Sequence, residues 1–182
     1  MMNLSSDQKR EGHFKDYLAL LASSDYRRVS FDCNSGGVSA IHKYHRFDKS
    51  IGPFGYLRGE YECVVAKTLR SVGACILLES EYPKGKSVKT NDALLNGITA
   101  EIKAVESLGR WSIRTKLYQV AKQNAEIAIL FFPSVKLYSK ERIIWGWERF
   151  LLDKDCESLH SIIAYVICIA DGSILEILKP PR

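Results

Sequence analysis

The sequence predicts an α/β domain, a mixed β-sheet flanked by helices, with an N-terminal accessory segment. Three observations predict it. Stretches with apolar residues every three or four positions alternate with compact apolar runs of strand length. Two of those runs are joined by Asn96-Gly97, a dipeptide suited to a two-residue hairpin turn, and a second turn signal, Asp171-Gly172, separates the last two runs. The length of 182 residues suits one domain with a sizeable core. With 46% hydrophobic and 26% charged residues the chain is not a disordered segment.

Residues Leu4 to Ser24 read as a helix with Phe14, Tyr17, Leu18 and Leu21 on one packing face. Arg28 to Asp32 alternates as a short strand, and Asn34-Ser35-Gly36-Gly37 breaks it as a turn. Within Ile41 to Phe47, His42 and His45 stand three apart and would share a face of a helix. A metal site, a proton shuttle, a structural role and contact with a phosphate or base are all open there, with no third ligand nearby. Ser50 to Leu57, with Gly52-Pro53 and Gly55, reads as a connector between an accessory segment, 1–58, and a domain, 59–182.

Gly59 to Gly73 reads as a helix closed by a glycine cap. Glu62, Val65, Ala66, Leu69 and Val72 fall on one stripe, so Glu62 points inward, where a carboxylate needs a partner. Ala74 to Glu79 comes next as a strand. The loop from Tyr82 to Lys89 carries Lys84, Lys86 and Lys89, which either neutralise phosphates or stand in solvent. Ser112 to Asn124 reads as a helix with Ile113, Leu117, Val120 and Ala121 on its stripe. Arg114, Lys116, Lys122 and Gln123 lie off that stripe or at its margin, and Arg114 and Lys122 join the loop lysines as expected nucleic-acid contacts. Glu126 to Phe132 is a strand stopped by Pro133. Ser139 to Leu152 is a helix capped by Ser139, with Ile143, Trp147, Phe150 and Leu151 for packing, and Ser161 to Ala170 with Ser173 to Leu178 close the chain as a hairpin.

The central hairpin carries the chemistry. If Leu95 pairs with Ile98, counting outward sets Leu94 against Thr99, Ala93 against Ala100 and Asp92 against Glu101. Alternation then puts Asp92, Glu101 and Lys103 in one polar cluster, with Ile98, Ala100, Ile102 and Ala104 on the other face. Directly opposed like charges destabilise a sheet. Two carboxylates with Cβ atoms about 5 Å apart can share one hard cation such as Mg²⁺ or Mn²⁺, and an adjacent ammonium can hold a water or steady a phosphate.

The net charge of +5 favours a polyanionic partner. Cys33, Cys63, Cys75, Cys156 and Cys168 are odd in number and lack a Cys-x-x-Cys, so neither a zinc site nor a disulfide framework is indicated; Cys75 and Cys168 read as core residues. No run of about 18 apolar residues is present to span a bilayer. The start, Met1-Met2-Asn3-Leu4, lacks the features of a secretory signal, so action in a cytosol is expected.

The order of helix, strand, hairpin, helix, strand, then helix and hairpin resembles the restriction-endonuclease-like core of the PD-(D/E)xK nuclease superfamily. Its carriers are Asn91-Asp92, Glu101-Ile102-Lys103, Glu62 with Ala66, Leu69 and Gly73 on the preceding helix, and Gln123 on the following one. Asn91 stands where the family name has Pro. The likeness runs from about Glu62 to Leu130, more loosely to Leu178, and is nearest to the C-terminal nuclease domains of contact-dependent growth inhibition and related polymorphic toxins, several of which cut tRNA. The resemblance implies hydrolysis of a phosphodiester in tRNA or other RNA, with DNA as the runner-up, and a cognate immunity protein as a further partner. It also implies that Asp92 and Glu101 bind Mg²⁺ or Mn²⁺, with Glu62 contributing directly or through water. Lys103 would then position or activate the attacking water, and Gln123 would orient water, ligand or substrate.

Overall fold

The computed structural model describes residues 6–80 and 91–152, together with the backbone of 164–169 and 174–178. The elements run α1 (Ser6–Ala22), β1 (Tyr26–Phe31), β2 (Val38–His42), α2 (Arg58–Ser71), β3 (Cys75–Leu78), β4 (Ala93–Leu95), β5 (Ile98–Ala104), α3 (Ser112–Lys122), β6 (Ile127–Phe132), α4 (Lys140–Leu151), β7 (Ala164–Ile169) and β8 (Ile174–Leu178). Among the described residues the strands form one eight-stranded sheet in sequence order. It is mixed: β2 with β3, β5 with β6 and β6 with β7 are parallel, and the other neighbours are antiparallel. No helix among the described residues is long and apolar enough to cross a membrane.

The central hairpin takes the register its turn demands. Asn96 and Gly97 have φ of 51° and 80°, the pair of positive values a type I′ turn requires, and Leu95 pairs with Ile98, Leu94 with Thr99 and Ala93 with Ala100. Because alternate residues of β5 face opposite ways, Ala100 and Ile102 join Val65, Ala66 and Leu69 of α2 in one core. The other face is covered by α3 and α4, whose Ile113, Leu117, Val120, Ile143, Trp147 and Phe150 pack on Ala128, Leu130 and Phe132. With both faces covered, every residue of β6 is buried, as expected of a central parallel strand. Gly146 lets α4 approach α3 closely: a Cβ there would lie 2.6 Å from Cβ of Ile113. Ser139 caps α4, accepting from the Arg142 amide.

The structure departs from the sequence expectation in several places, among them Leu151, which is exposed rather than packed. β1 begins at Tyr26 and is bulged between Arg27 and Ser30, with Arg28 at φ 51°. The stretch after Gly36-Gly37 is a strand, β2, because those glycines and the Asp32 side chain close a hairpin rather than a simple break: Gly36 donates to the Asp32 carbonyl and Asp32 to that of Gly37, while Asp32 Oδ1 accepts from Asn34 and Ser35. Consequently β1 and β2, from the segment before residue 59, extend the same sheet past β3. On α1, Leu18 and Leu21 are exposed and Phe14 partly so; the helix meets β1 through Phe14 and Tyr17 against Phe31, and the turn after that strand through Arg10 and His13 at the carbonyls of Cys33 and Gly36. Val72 lies beyond the last turn of α2 and is exposed, and Tyr61 and Thr68 are buried on that helix instead. Cys75 is half-buried, and burial pushes its thiol up to about 11. The turn at Asp171-Gly172 and the side chain of Cys168 lie outside the described residues.

Candidate functional site

Asp92 immediately precedes β4, one step past the Ala93 and Ala100 pair, and so meets Glu101. Its backbone N–H donates to Glu101 Oε2 at 3.0 Å, and the Ile102 N–H donates to Asp92 Oδ2 at 3.1 Å. Lys103, on the same face two residues along, ion-pairs with Glu101 Oε1 and stands 3.6 Å from Asp92 Oδ2. Glu101 is 0% exposed and Asp92 6%. Burial, and then the neighbouring Asp92, push the Glu101 carboxyl up to about 7, against the opposing pull of Lys103. Fully ionised, the trio carries two negative charges and one positive in a place where charge is costly, and this oxygen-only pair of carboxylates fits a hard divalent cation.

Glu62 has the partner its inward position requires. His45, buried on the loop after β2, places Nε2 2.6 Å from Glu62 Oε2 and Nδ1 2.5 Å from the Glu79 carbonyl. A carbonyl only accepts, so Nδ1 is the donor in that bond, and Nε2 faces the Glu62 carboxylate. The Glu79 N–H in turn donates to the Asp92 carbonyl, so Glu62 is tied to the Asp92 strand through His45 and the Glu79 backbone. The two histidines do not share a helical face. The chain turns at 43–45, closed by the His45 N–H on the His42 carbonyl, and His42 remains beside Tyr26 and Tyr44. Among the described residues no three or more His, Cys, Asp or Glu side chains assemble as a group able to hold a metal. A cation at Asp92 and Glu101 would therefore draw its remaining ligands from water, backbone or phosphate oxygens.

The remaining expected residues are spread more widely. Gln123 is the C-cap of α3, with Oε1 buried and without a hydrogen-bond partner. Arg114 stacks on Trp111, and Lys122 lies 4.6 Å from the Tyr118 ring centroid. Lys84, Lys86 and Lys89 lie outside the described residues. Lys116, which the sequence placed off the apolar stripe or at its margin, sits half-buried within reach of the charges of Glu106, Lys103 and Arg58, and burial lowers its pKa. Arg58, at the start of α2, grips both Glu106 oxygens at 2.9 to 3.2 Å, joining that helix to the segment after β5. The position of Lys116 between Ile113 and Leu117 was the available signal for it; nothing in the sequence marked Arg58.

No model of a protein family, curated protein or solved structure matches this chain.

Proposed function

We propose that this chain is a metal-dependent nuclease, hydrolysing phosphodiester bonds of nucleic acid on a restriction-endonuclease-like core of the PD-(D/E)xK kind. The observation that carries the reading is the convergence of Asp92, Glu101 and Lys103 at the mouth of the central hairpin. Two buried carboxylates opposed across a strand pair disfavour each other's charge, a conflict that a shared cation would relieve.

Asp92 and Glu101 would hold Mg²⁺ or Mn²⁺, with Glu62 contributing directly or through water. When bound, such an ion would supply Lewis acidity toward the phosphate and toward the attacking water. Lys103 would position or activate the attacking water and steady negative charge on the phosphate. Glu101 would also orient that water, accepting hydrogen bonds from it. Gln123 offers an uncommitted acceptor. RNA, and tRNA within it, is the leading substrate class, DNA the second. Delivery as a toxin into a target cytosol, opposed by an immunity protein, belongs to the same reading.

The second reading is a non-catalytic nucleic-acid-binding domain, favoured by the way Lys103 already pairs with both carboxylates. One experiment separates them. Purified protein is incubated with total tRNA, other RNA and plasmid DNA in Mg²⁺ or in EDTA, and the products are resolved on gels. The nuclease cuts at least one substrate in Mg²⁺ only; binding without cleavage of any of them, unaffected by EDTA, rejects it.

A further inference from the structure

The bulge in β1 holds Arg28 at φ 51°, in the left-handed region, which non-glycine residues enter only at a cost in backbone strain. Bulges of this kind re-aim side chains. Here Arg28 lines a cleft of about 750 Å³ with Arg27, Arg46, Lys49, Phe47 and His45, closed on one side by the first turn of α2. That volume lies within the range of pockets that hold nucleotide-sized ligands.

The charges in the cleft are unevenly committed. Arg27 donates to the His45 carbonyl at 3.2 Å. Arg28, Arg46 and Lys49 are exposed and form no ion pair with a carboxylate among the described residues. Of the two acids on the lining, Glu60 and Asp48, the latter accepts from the Ser50 N–H. A cluster of uncommitted cations around a partly apolar floor matches a phosphate backbone with its sugars and bases.

We propose that this cleft binds phosphates of the nucleic-acid strand flanking the one to be cut, and that this is what the segment before residue 59 contributes. This rests on the reading of the chain as a nuclease and adds a substrate subsite to it. His45 supplies the junction: it lines the cleft, and through the Glu79 backbone it reaches the strand that carries Asp92. A chain laid along the cleft is thereby led around the ends of β2 and β3 toward the carboxylates.

The test measures binding of fluorescein-labelled single-stranded RNA and DNA to the full chain in EDTA across a salt series. The triple variant Arg28→Asn, Arg46→Gln, Lys49→Gln is compared with a charge-matched control, Lys9→Gln, Lys67→Gln, Lys136→Gln, both checked by urea denaturation. Asn tolerates the left-handed backbone at position 28. The cleft variant is expected to bind at least about tenfold more weakly than the control, with its log–log salt slope smaller by about 2, near 0.7 per lost phosphate contact. Lys49→Gln alone, on an exposed loop, should lower the slope by about 0.7 and serves if the triple variant does not fold. Equal binding by the two triple variants, an unchanged slope in Lys49→Gln, or cleft-dependent binding to phosphatidylglycerol vesicles but not to oligonucleotides overturns the proposal. Normal binding by the cleft variant alongside lost cleavage in Asp92→Asn removes the subsite and keeps the nuclease. Lost binding with no cleavage by wild type does the reverse.

Discussion

Replacing Glu101 by Gln should make the protein more stable and, as a nuclease, inactive. Glu101 is fully buried and its carboxyl is raised from about 4.5 to about 7, first by burial and then by Asp92. Below about 4.5 the folded and unfolded chains both hold the proton; between about 4.5 and about 7 only the folded chain does, so stability falls as pH rises through that window. Above it the loss is complete. At about 1.4 kcal/mol for each tenfold in proton affinity, the whole loss is roughly 3 kcal/mol. Gln removes the titration but also deprives the Lys103 ammonium of its partner, so the net gain at pH 8 should be smaller, about 1 to 2 kcal/mol. Urea denaturation of both proteins in EDTA, from pH 4.5 to 8.5, isolates the effect of Glu101 and its coupled neighbours Asp92 and Lys103, because titrating groups away from the cluster cancel in the difference. The gap between the curves should open by roughly 3 kcal/mol up to pH 7 and stay constant above it. Mg²⁺ at a hundred times its dissociation constant should restore about 2.7 kcal/mol to the wild type at pH 8 and little to the variant. Parallel curves in EDTA would refute the reasoning.

Lys103→Met should cost about 3 kcal/mol at pH 8, since it strands two buried carboxylates, and less at pH 5, where Glu101 takes up a proton; the same denaturation series reads it. Combined with Glu101→Gln the loss should shrink, a coupling that a double-mutant cycle measures directly. Gly146→Ala presses a methyl into Ile113 at the crossing of α3 and α4. It should lower stability by about 2 kcal/mol, or roughly 4 to 8 °C in Tm, while leaving cleavage by the folded fraction unchanged.

Local features were the ones legible in the sequence. Asn96-Gly97 allows one turn, the turn allows one register, and the register brings Asp92 to Glu101 without reference to the rest of the chain. The inward position of Glu62 likewise implied a partner, because a carboxylate on an apolar stripe must be answered. That its partner is His45 depended on how the loop after β2 folds back over α2, and a spacing of three was compatible with a helix as well as with the turn that formed. β2 was hidden for a similar reason: Gly36-Gly37 signals a break, and only the pairing of Val38 to Ile41 with Cys75 to Leu78 makes those four residues a sheet strand. The exposed Phe14, Leu18 and Leu21 mark the limit of periodicity, which locates an apolar face but not the extent to which another element covers it. Lys116 approaches Lys103 and Glu106 only because α3 lies against β5 and β6, a tertiary fact.

The central claim is that Asp92 and Glu101 share a divalent cation, and Mn²⁺ binding followed by electron paramagnetic resonance tests it most directly. Wild-type protein titrated to millimolar Mn²⁺ should immobilise one ion per chain, and Asp92→Asn and Glu101→Gln, each folded, should immobilise none. Equal immobilisation by all three proteins, or none by the wild type, would contradict it.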